Sequence, residues 1–227
     1  MLRLLCLLRY RKITILMSNL LFSGPIIQGE NIVKRLIVAA LLSSAIALPA
    51  VAALKQGEKA PDFSTKASLA GKEFNFSLKD ALKKGPVVVY FYPAAFTGGC
   101  NIEAHTFAEN ADKFAAAHTT IIGVSKDSIS RLNAFSSDPA YCAGKFPVAS
   151  DPTGEISKSF GLNNIKLPAG FKNTKGEEVE NAEVSERTTF VIAQDSKIVA
   201  TLSSADDKVT PTEHAEKSLE VASHLKK

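Results

Sequence analysis

The sequence predicts an α/β domain built on a mixed sheet. Three observations carry this. Val87-Val88-Val89-Tyr90-Phe91-Tyr92 is apolar on both faces, as a central buried strand is. Helical stretches then alternate with short apolar strands. The pattern closes with a hairpin and a terminal helix.

The elements follow in order. Residues 54–85 mix short patterns with turn formers and read as a β-rich entry segment. Pro86 opens the central strand and Pro93 ends it. Thr97-Gly98-Gly99 leads into a helix from about Cys100 to Ala117, with Ile102, Phe107 and Phe114 as apolar contacts. Thr119 to Val124 is a second buried strand, and Ser125 to Phe135 a helix with Leu132 and Phe135 inward. Phe146 to Ala149 is a short strand and Glu155 to Phe160 a short helix. Thr188 to Ile192 and Lys197 to Leu202 form a hairpin around Gln194-Asp195-Ser196. Pro211 begins a last helix to about Leu225, where proline suits the first turn. Nothing in residues 53–227 marks a second domain.

Charge and composition exclude several classes. The 227 residues hold 27 basic and 23 acidic side chains. Residues 1–53 contain six of the bases (Arg3, Arg9, Arg11, Lys12, Lys34, Arg35) and one acid, Glu30. The remaining 174 residues therefore carry 21 bases and 22 acids, a net charge of −1. A near-neutral body lacks the electrostatic footprint of a nucleic-acid binder. With 45% hydrophobic residues, the chain can build a core without a disulfide framework or a metal.

The N-terminal residues 1–52 read as a leader. Lys34-Arg35 precedes thirteen apolar or small residues, Leu36 to Leu48, and then Pro49-Ala50-Val51-Ala52-Ala53. A positive start, an apolar run of this length and an A-x-A site make a secretory signal, with the mature chain beginning at Ala53. The run is too short for a full membrane span, so stable insertion is not expected after cleavage. Residues 33–52 are the expected true signal peptide. Gln28-Gly29-Glu30 can be encoded by a bacterial ribosome-binding sequence, and Val33 by a GTG start codon. A mitochondrial presequence is the rival reading, because residues 1–22 are basic and free of acids. Export, to the bacterial periplasm on this reading, places the body in an oxidising compartment. Cys6 leaves with the leader; Cys100 and Cys142 remain.

Cys100 stands where a buried strand gives way to a helix. A cysteine in a first helical turn meets unpaired backbone N–H groups and the positive end of the helix dipole. Both stabilise negative charge on sulfur, and the thiolate is the reactive form. Gly98 and Gly99 allow a small ligand to approach the backbone, and Thr97 places a hydroxyl three residues before the sulfur. The plainer reading of a lone cysteine is a small buried hydrophobe.

The surrounding residues add a resemblance. Pro93-Ala94-Ala95-Phe96-Thr97-Gly98-Gly99-Cys100 matches the P-x-x-x-T-x-x-C motif of peroxiredoxins. Gly57-Glu58-Lys59-Ala60-Pro61-Asp62-Phe63 resembles the opening of that family. Ile122 to Ser128, Phe146 to Gly154 and Arg187 to Ile192 follow in the family's order. The resemblance spans about residues 55–225 and is closest in type to the bacterioferritin-comigratory, or Q-type, group. It implies a thioredoxin-like fold and a thiol-dependent peroxidase reducing hydrogen peroxide and organic hydroperoxides through a cysteine sulfenic acid.

In that resemblance Cys100 matches the peroxidatic cysteine, Thr97 the conserved hydroxyl, Pro93 the motif proline and Arg187 the active-site arginine. Glu103 matches an acid that orients the arginine. Charge moves from sulfur to the leaving oxygen as the thiolate attacks, so donors fixed along that path stabilise the transition state most. Arg187 would supply a permanent charge, Thr97 would donate to a peroxide oxygen, and Pro93 would shield the sulfur. Without the motif, Thr97 reads as a helix N-cap, Arg187 as a surface arginine and Pro93 as a strand terminator. No metal or organic cofactor is expected. His105, His118, His214 and His224 lack ligand spacing and are expected at the surface.

Two departures from the Q-type pattern stand out. Gly98 replaces a common proline, which would loosen the loop. His105 stands five after Cys100, where many members have the resolving cysteine. Cys142 instead resembles the resolving cysteine of a subgroup that carries it after the second helix. A disulfide closed within one chain, recycled by a thiol reductant such as a thioredoxin-like protein, follows from that resemblance. A free structural thiol at Cys142 is the rival. A monomer or weak dimer is expected. The alternatives for the whole chain are a secreted thiol–disulfide exchange protein and a non-catalytic domain with a structural disulfide. The first usually needs C-x-x-C, which is absent around Cys100.

Overall fold

The computed structural model describes residues 52–225. The expected leader lies outside the described residues except for its last, Ala52. Strands β1 (Ser64–Leu69) and β2 (Lys72–Ser77) form a hairpin, followed by the short helix α1 (Leu78–Leu82). Then come β3 (Val87–Phe91), helices α2 (Gly98–Glu109) and α3 (Ala111–Ala116), β4 (Thr120–Ser125) and α4 (Ile129–Ser137). After β5 (Val148–Ser150) and α5 (Glu155–Ser159), a small pair is formed by β6 (Asn164–Lys166) and β7 (Glu183–Ser185). The chain ends with β8 (Thr188–Ile192), β9 (Ile198–Ser203) and α6 (Pro211–His224).

Seven strands make one mixed sheet in the order β2-β1-β5-β4-β3-β8-β9. β3 runs parallel to β4, and β4 to β5, while β8 pairs antiparallel with β3. The run Val87 to Phe91 is therefore central, as its continuous apolar character requires. Alternation divides it cleanly between two cores. Val87, Val89 and Phe91 join Phe160, Phe190 and Leu78 on one face of the sheet. Val88, Tyr90 and Tyr92 join Phe107, Phe114, Leu132 and Phe135 on the other. Period-2 geometry on a doubly covered strand gives this division.

Several details differ from the sequence reading. The helix expected from Cys100 to Ala117 begins at Gly98 and breaks at Asn110 into α2 and α3. The break lets Phe107 and Phe114 both reach the core, whereas Ile102 is 53% exposed rather than inward. The fourth helix starts only at Ile129, because Ser128 caps it by accepting from the Arg131 N–H. The short strand sits at Val148–Ser150, beginning two residues and ending one residue later than expected. The last helix follows its signals closely: Pro211 opens it and Thr210 with Glu213 forms a reciprocal capping box.

Candidate active site

The central strand ends at Phe91, and residues 92–97 turn away from the sheet into α2. This turn is held from two sides. Asp127, just past β4, accepts hydrogen bonds from the Ala95 N–H (2.8 Å) and from the Ser125 hydroxyl (2.7 Å). Burial pushes the Asp127 carboxyl up from its ordinary range, opposed by the Ala95 and Ser125 bonds. On the other side, the Thr174 N–H and hydroxyl both donate to the Phe96 carbonyl, each at 2.8 Å. Phe96 has a φ of +64°, a left-handed conformation rarely adopted by a bulky residue. Lys175 Nζ lies 3.8 Å from the centroid of the Phe96 ring.

Thr97 is the helix N-cap residue by backbone conformation, but its side chain makes no cap bond. Its hydroxyl donates to the Ala94 carbonyl at 2.8 Å. The proton expected to serve a peroxide oxygen is thus engaged in this conformation, and the hydroxyl oxygen remains as an acceptor. Cys100 is the third residue of α2 and only 2% exposed. The Asn101 N–H makes the first helical bond, to the Thr97 carbonyl. The N–H groups of Gly98, Gly99 and Cys100 precede that bond, as the orphan donors of a helix start do.

Arg187, in the turn between β7 and β8, reaches over this helix start. Its Nη2 donates to Cys100 Sγ at 3.2 Å, and its Nη1 donates to Glu103 Oε2. One guanidinium thus bridges the sulfur and a fully buried carboxylate on the next turn of the same helix. Burial drives Glu103 up to about 7 despite the opposing charge of Arg187. Arg187 itself is held more firmly charged than usual by Glu103 and Cys100, against the cost of its burial. Gly99 eases this approach: a Cβ there would lie 3.2 Å from Arg187 Nη2, close enough to push the guanidinium by a few tenths of an ångström, and 3.5 Å from Pro211 Cγ. Pro93 is half-buried at the start of the same turn.

Gly98 is different, because a Cβ there would meet nothing within 4 Å. It occupies the first helical position after Thr97, which has the extended backbone that precedes proline well (φ −98°, ψ 150°). Gly98→Pro is therefore expected to stabilise the protein by about 0.4–1 kcal/mol, through the unfolded chain. Chemical denaturation with an unchanged slope checks this; a lower midpoint would show that the Gly98 N–H is needed.

Cys142 lies in the turn after α4, fully buried, and both it and Cys100 are free thiols. The two sulfurs belong to one apolar cluster on the same face of the sheet, with Tyr90, Tyr92, Phe96 and Phe135 among its members. Burial pushes the Cys142 thiol well up, and Asp138 adds to the shift. In this conformation Cys142 is a weak nucleophile.

The structure thus brings together Cys100, Arg187 and Glu103 at one helix start with Thr97 as its N-cap residue, while Pro93 stands at the strand end five residues before the helix. It also adds residues that the sequence reading had not assigned. Asp127 lies within a segment already matched to the family order, and its spacing from Ser125 was the available signal. Thr174 sits in a stretch with no periodicity and gave none. His214, expected at the surface, is fully buried beneath the Glu103–Arg187 pair, whereas His105, His118 and His224 are exposed. A histidine in the first turn of an amphipathic helix reads as solvated until its neighbours are known.

A fold of this kind with a buried cysteine–arginine–glutamate array defines a thiol peroxidase class. Residues 56–201 match the model of the AhpC/TSA family. The chain belongs to that family of peroxiredoxins. It is 37% identical over 110 residues to a chloroplastic 2-Cys peroxiredoxin of Hordeum vulgare, covering 47% of this chain. The chain spans about half, 52%, of the length of that plant relative. Among solved structures, peroxidoxin BcpB of Mycobacterium tuberculosis superposes with a TM-score of 0.61 at 28% identity, covering 77% of this chain and 99% of that one. The bacterioferritin comigratory protein of Xanthomonas campestris gives 0.53 at 26% identity, covering 69% and 88%. The likeness to both supports the Q-type resemblance.

Proposed function

We propose that the protein reduces hydrogen peroxide and organic hydroperoxides with Cys100 as the attacking thiolate. The observation that carries this is the Arg187 guanidinium spanning Cys100 Sγ and the buried Glu103 carboxylate. The thiolate attacks one peroxide oxygen, the O–O bond breaks, and the other oxygen leaves as hydroxide or alkoxide and is protonated. Cys100 becomes a sulfenic acid. Arg187 and the free N–H groups at the start of α2 stabilise the charge as it moves from sulfur to the departing oxygen. The solved Xanthomonas structure concerns alkyl peroxide reduction by that protein, which favours including organic hydroperoxides here.

In the second step the Cys142 thiolate displaces the sulfenic oxygen as water, giving a Cys100–Cys142 disulfide. A dithiol reductant of thioredoxin-like type then restores both thiols. Two observations support a local unwinding before this step. Cys142 is buried and its thiol is held protonated, so exposure is needed to make it nucleophilic. Cys100 is locked in a helical turn by Arg187. After one equivalent of peroxide, peptide mapping is expected to show a Cys100–Cys142 disulfide, with faster hydrogen exchange around residues 97–105 and 138–145. Stable sulfenic or sulfinic acid on Cys100 beside a free Cys142 would establish a one-cysteine route instead.

Export to the periplasm is part of the same reading and rests on the leader sequence. N-terminal sequencing of the mature protein is expected to begin at Ala53 or one residue on. A chain recovered from the cytosol with its leader intact would contradict it.

A further inference from the structure

The array that holds Cys100 does not stop at Glu103. Glu103 Oε2 is taken by Arg187, but Oε1 is buried without a hydrogen-bond partner among the described residues. What faces it, at 4.0 Å, is Nδ1 of the fully buried His214. The tautomer of that imidazole follows from its neighbours. The Ser204 hydroxyl donates to the Val209 carbonyl at 2.7 Å, so its proton is engaged. Ser204 Oγ therefore accepts from His214 Nε2–H, at 2.9 Å. The neutral ring then has its lone pair on Nδ1, and the Thr189 hydroxyl donates to it at 2.9 Å. Both ring nitrogens are satisfied by hydroxyls without a charge on the ring.

We propose that His214 is a positioning residue for peroxide reduction: it closes the far side of Glu103 with a ring nitrogen that offers no proton and holds the nearby Thr189 hydroxyl to itself, so that the carboxylate is answered by Arg187 and holds that guanidinium across the Cys100 sulfur. This rests on the peroxidase reading given above. The chemistry is one of exclusion. A buried carboxylate normally gathers several donors, and each would share its charge. Here the second oxygen faces Nδ1, which carries no proton and also keeps the Thr189 hydroxyl engaged, so the Arg187 bond is the dominant one. His214 stays neutral because burial, and next the Arg187 charge, bring it down to about 3; Glu213 opposes this and Lys217 assists.

The same arrangement defines where a proton goes when Glu103 takes one. Oε2 is occupied, so the proton sits on Oε1, facing Nδ1. A neutral Glu103 has a weaker grip on Arg187. Peroxide reactivity is therefore expected to fall as pH drops through the Glu103 titration near 7. The charged and titratable groups around Glu103 are Arg187 from the β7–β8 turn, Cys100 on its own helix and Tyr90 from β3. From α6 they are His214 with Glu213 and Lys217 behind it. The Cys100 thiolate is followed separately by its ultraviolet absorbance.

The test measures the second-order rate with hydrogen peroxide against pH in wild type, Thr189→Val, His214→Phe and His214→Asn. Thr189→Val preserves shape and removes the donor to Nδ1. The lone pair then becomes free to accept from a protonated Glu103, and the acid limb is expected to move to higher pH. His214→Phe removes the acceptor that engages the Thr189 hydroxyl and frees that donor to turn to Oε1, so the rate is expected to fall about tenfold, the worth of one hydrogen bond. His214→Asn, whose amide oxygen can accept from Thr189 as Nδ1 does, is expected to recover part of that loss. If His214→Phe fails to fold, the near-isosteric Thr189→Val decides alone. A reactive wild type whose rate and acid limb are unchanged in Thr189→Val would make His214 a core histidine and overturn the inference. A wild type that does not consume peroxide would overturn the peroxidase reading, and the inference with it.

Discussion

Cys100→Ser is expected to abolish peroxide consumption while leaving the fold in place. The substitution exchanges sulfur for oxygen in a buried position, 2% exposed, with little change in shape. It changes the chemistry completely. An alkoxide is far harder to form than a thiolate, and oxygen is a poorer nucleophile toward a peroxide. Arg187 and the helix start remain, but they stabilise a charge that the serine does not carry. Peroxide loss measured with a dithiol reductant in excess is the check. Turnover near the wild-type rate would move the catalytic role away from Cys100.

Arg187→Ala carries the second-largest expected effect, roughly a 10²-fold fall in the second-order rate with peroxide. That is about 2.7 kcal/mol of lost transition-state stabilisation. Two contributions combine. The donor at 3.2 Å from Sγ disappears, and so does the only strong partner of the buried Glu103 carboxylate. Glu103 then takes up a proton more readily, because burial already raises it and only Arg187 opposes that. Arg187→Lys is expected to recover little, since an ammonium lacks the planar fork that touches sulfur and carboxylate together. Stopped-flow mixing with peroxide reads the effect directly. An unchanged rate in Arg187→Ala would remove the arginine from the reaction.

Much of the sheet was legible in the sequence because its strands are buried on both faces. Val87 to Tyr92 is a continuous apolar run, and Thr188 to Ile192 is a run of β-branched and aromatic residues, the composition that strands favour. The segment from residue 163 to residue 186 was not legible. Its β6–β7 pair is short, with all three residues of β6 exposed, so no periodicity records it. The cysteine, threonine and arginine of the site were legible through a local motif and its order along the chain. His214 was not, because its role depends on contacts between α6, β8 and β9 that no local spacing encodes. Ile102 was misplaced for a simpler reason: five residues of helix set it about 140° round from Phe107, away from the face that buries Cys100, Glu103, Ala104 and Phe107.

The left-handed backbone at Phe96 sets a clock for the proposed cycle. Holding a bulky residue there costs on the order of 1–3 kcal/mol. Two hydrogen bonds from Thr174 and the cation of Lys175 over the ring hold it in place. The reactive conformation is thus a loaded one, and letting go recovers the stored strain. Lys175 also pairs with Asp138 at 3.2 Å, in the turn that carries Cys142, so one short strap touches the segments around both cysteines. In the proposed cycle, how long a sulfenic acid waits before a disulfide closes would then depend on the balance between strain and strap. That waiting time governs the peroxide level at which a second oxidation overtakes resolution and inactivates the sulfur. Tolerance to oxidative overload would accordingly be tuned at residues 96, 174 and 175, none of which touches the peroxide chemistry itself.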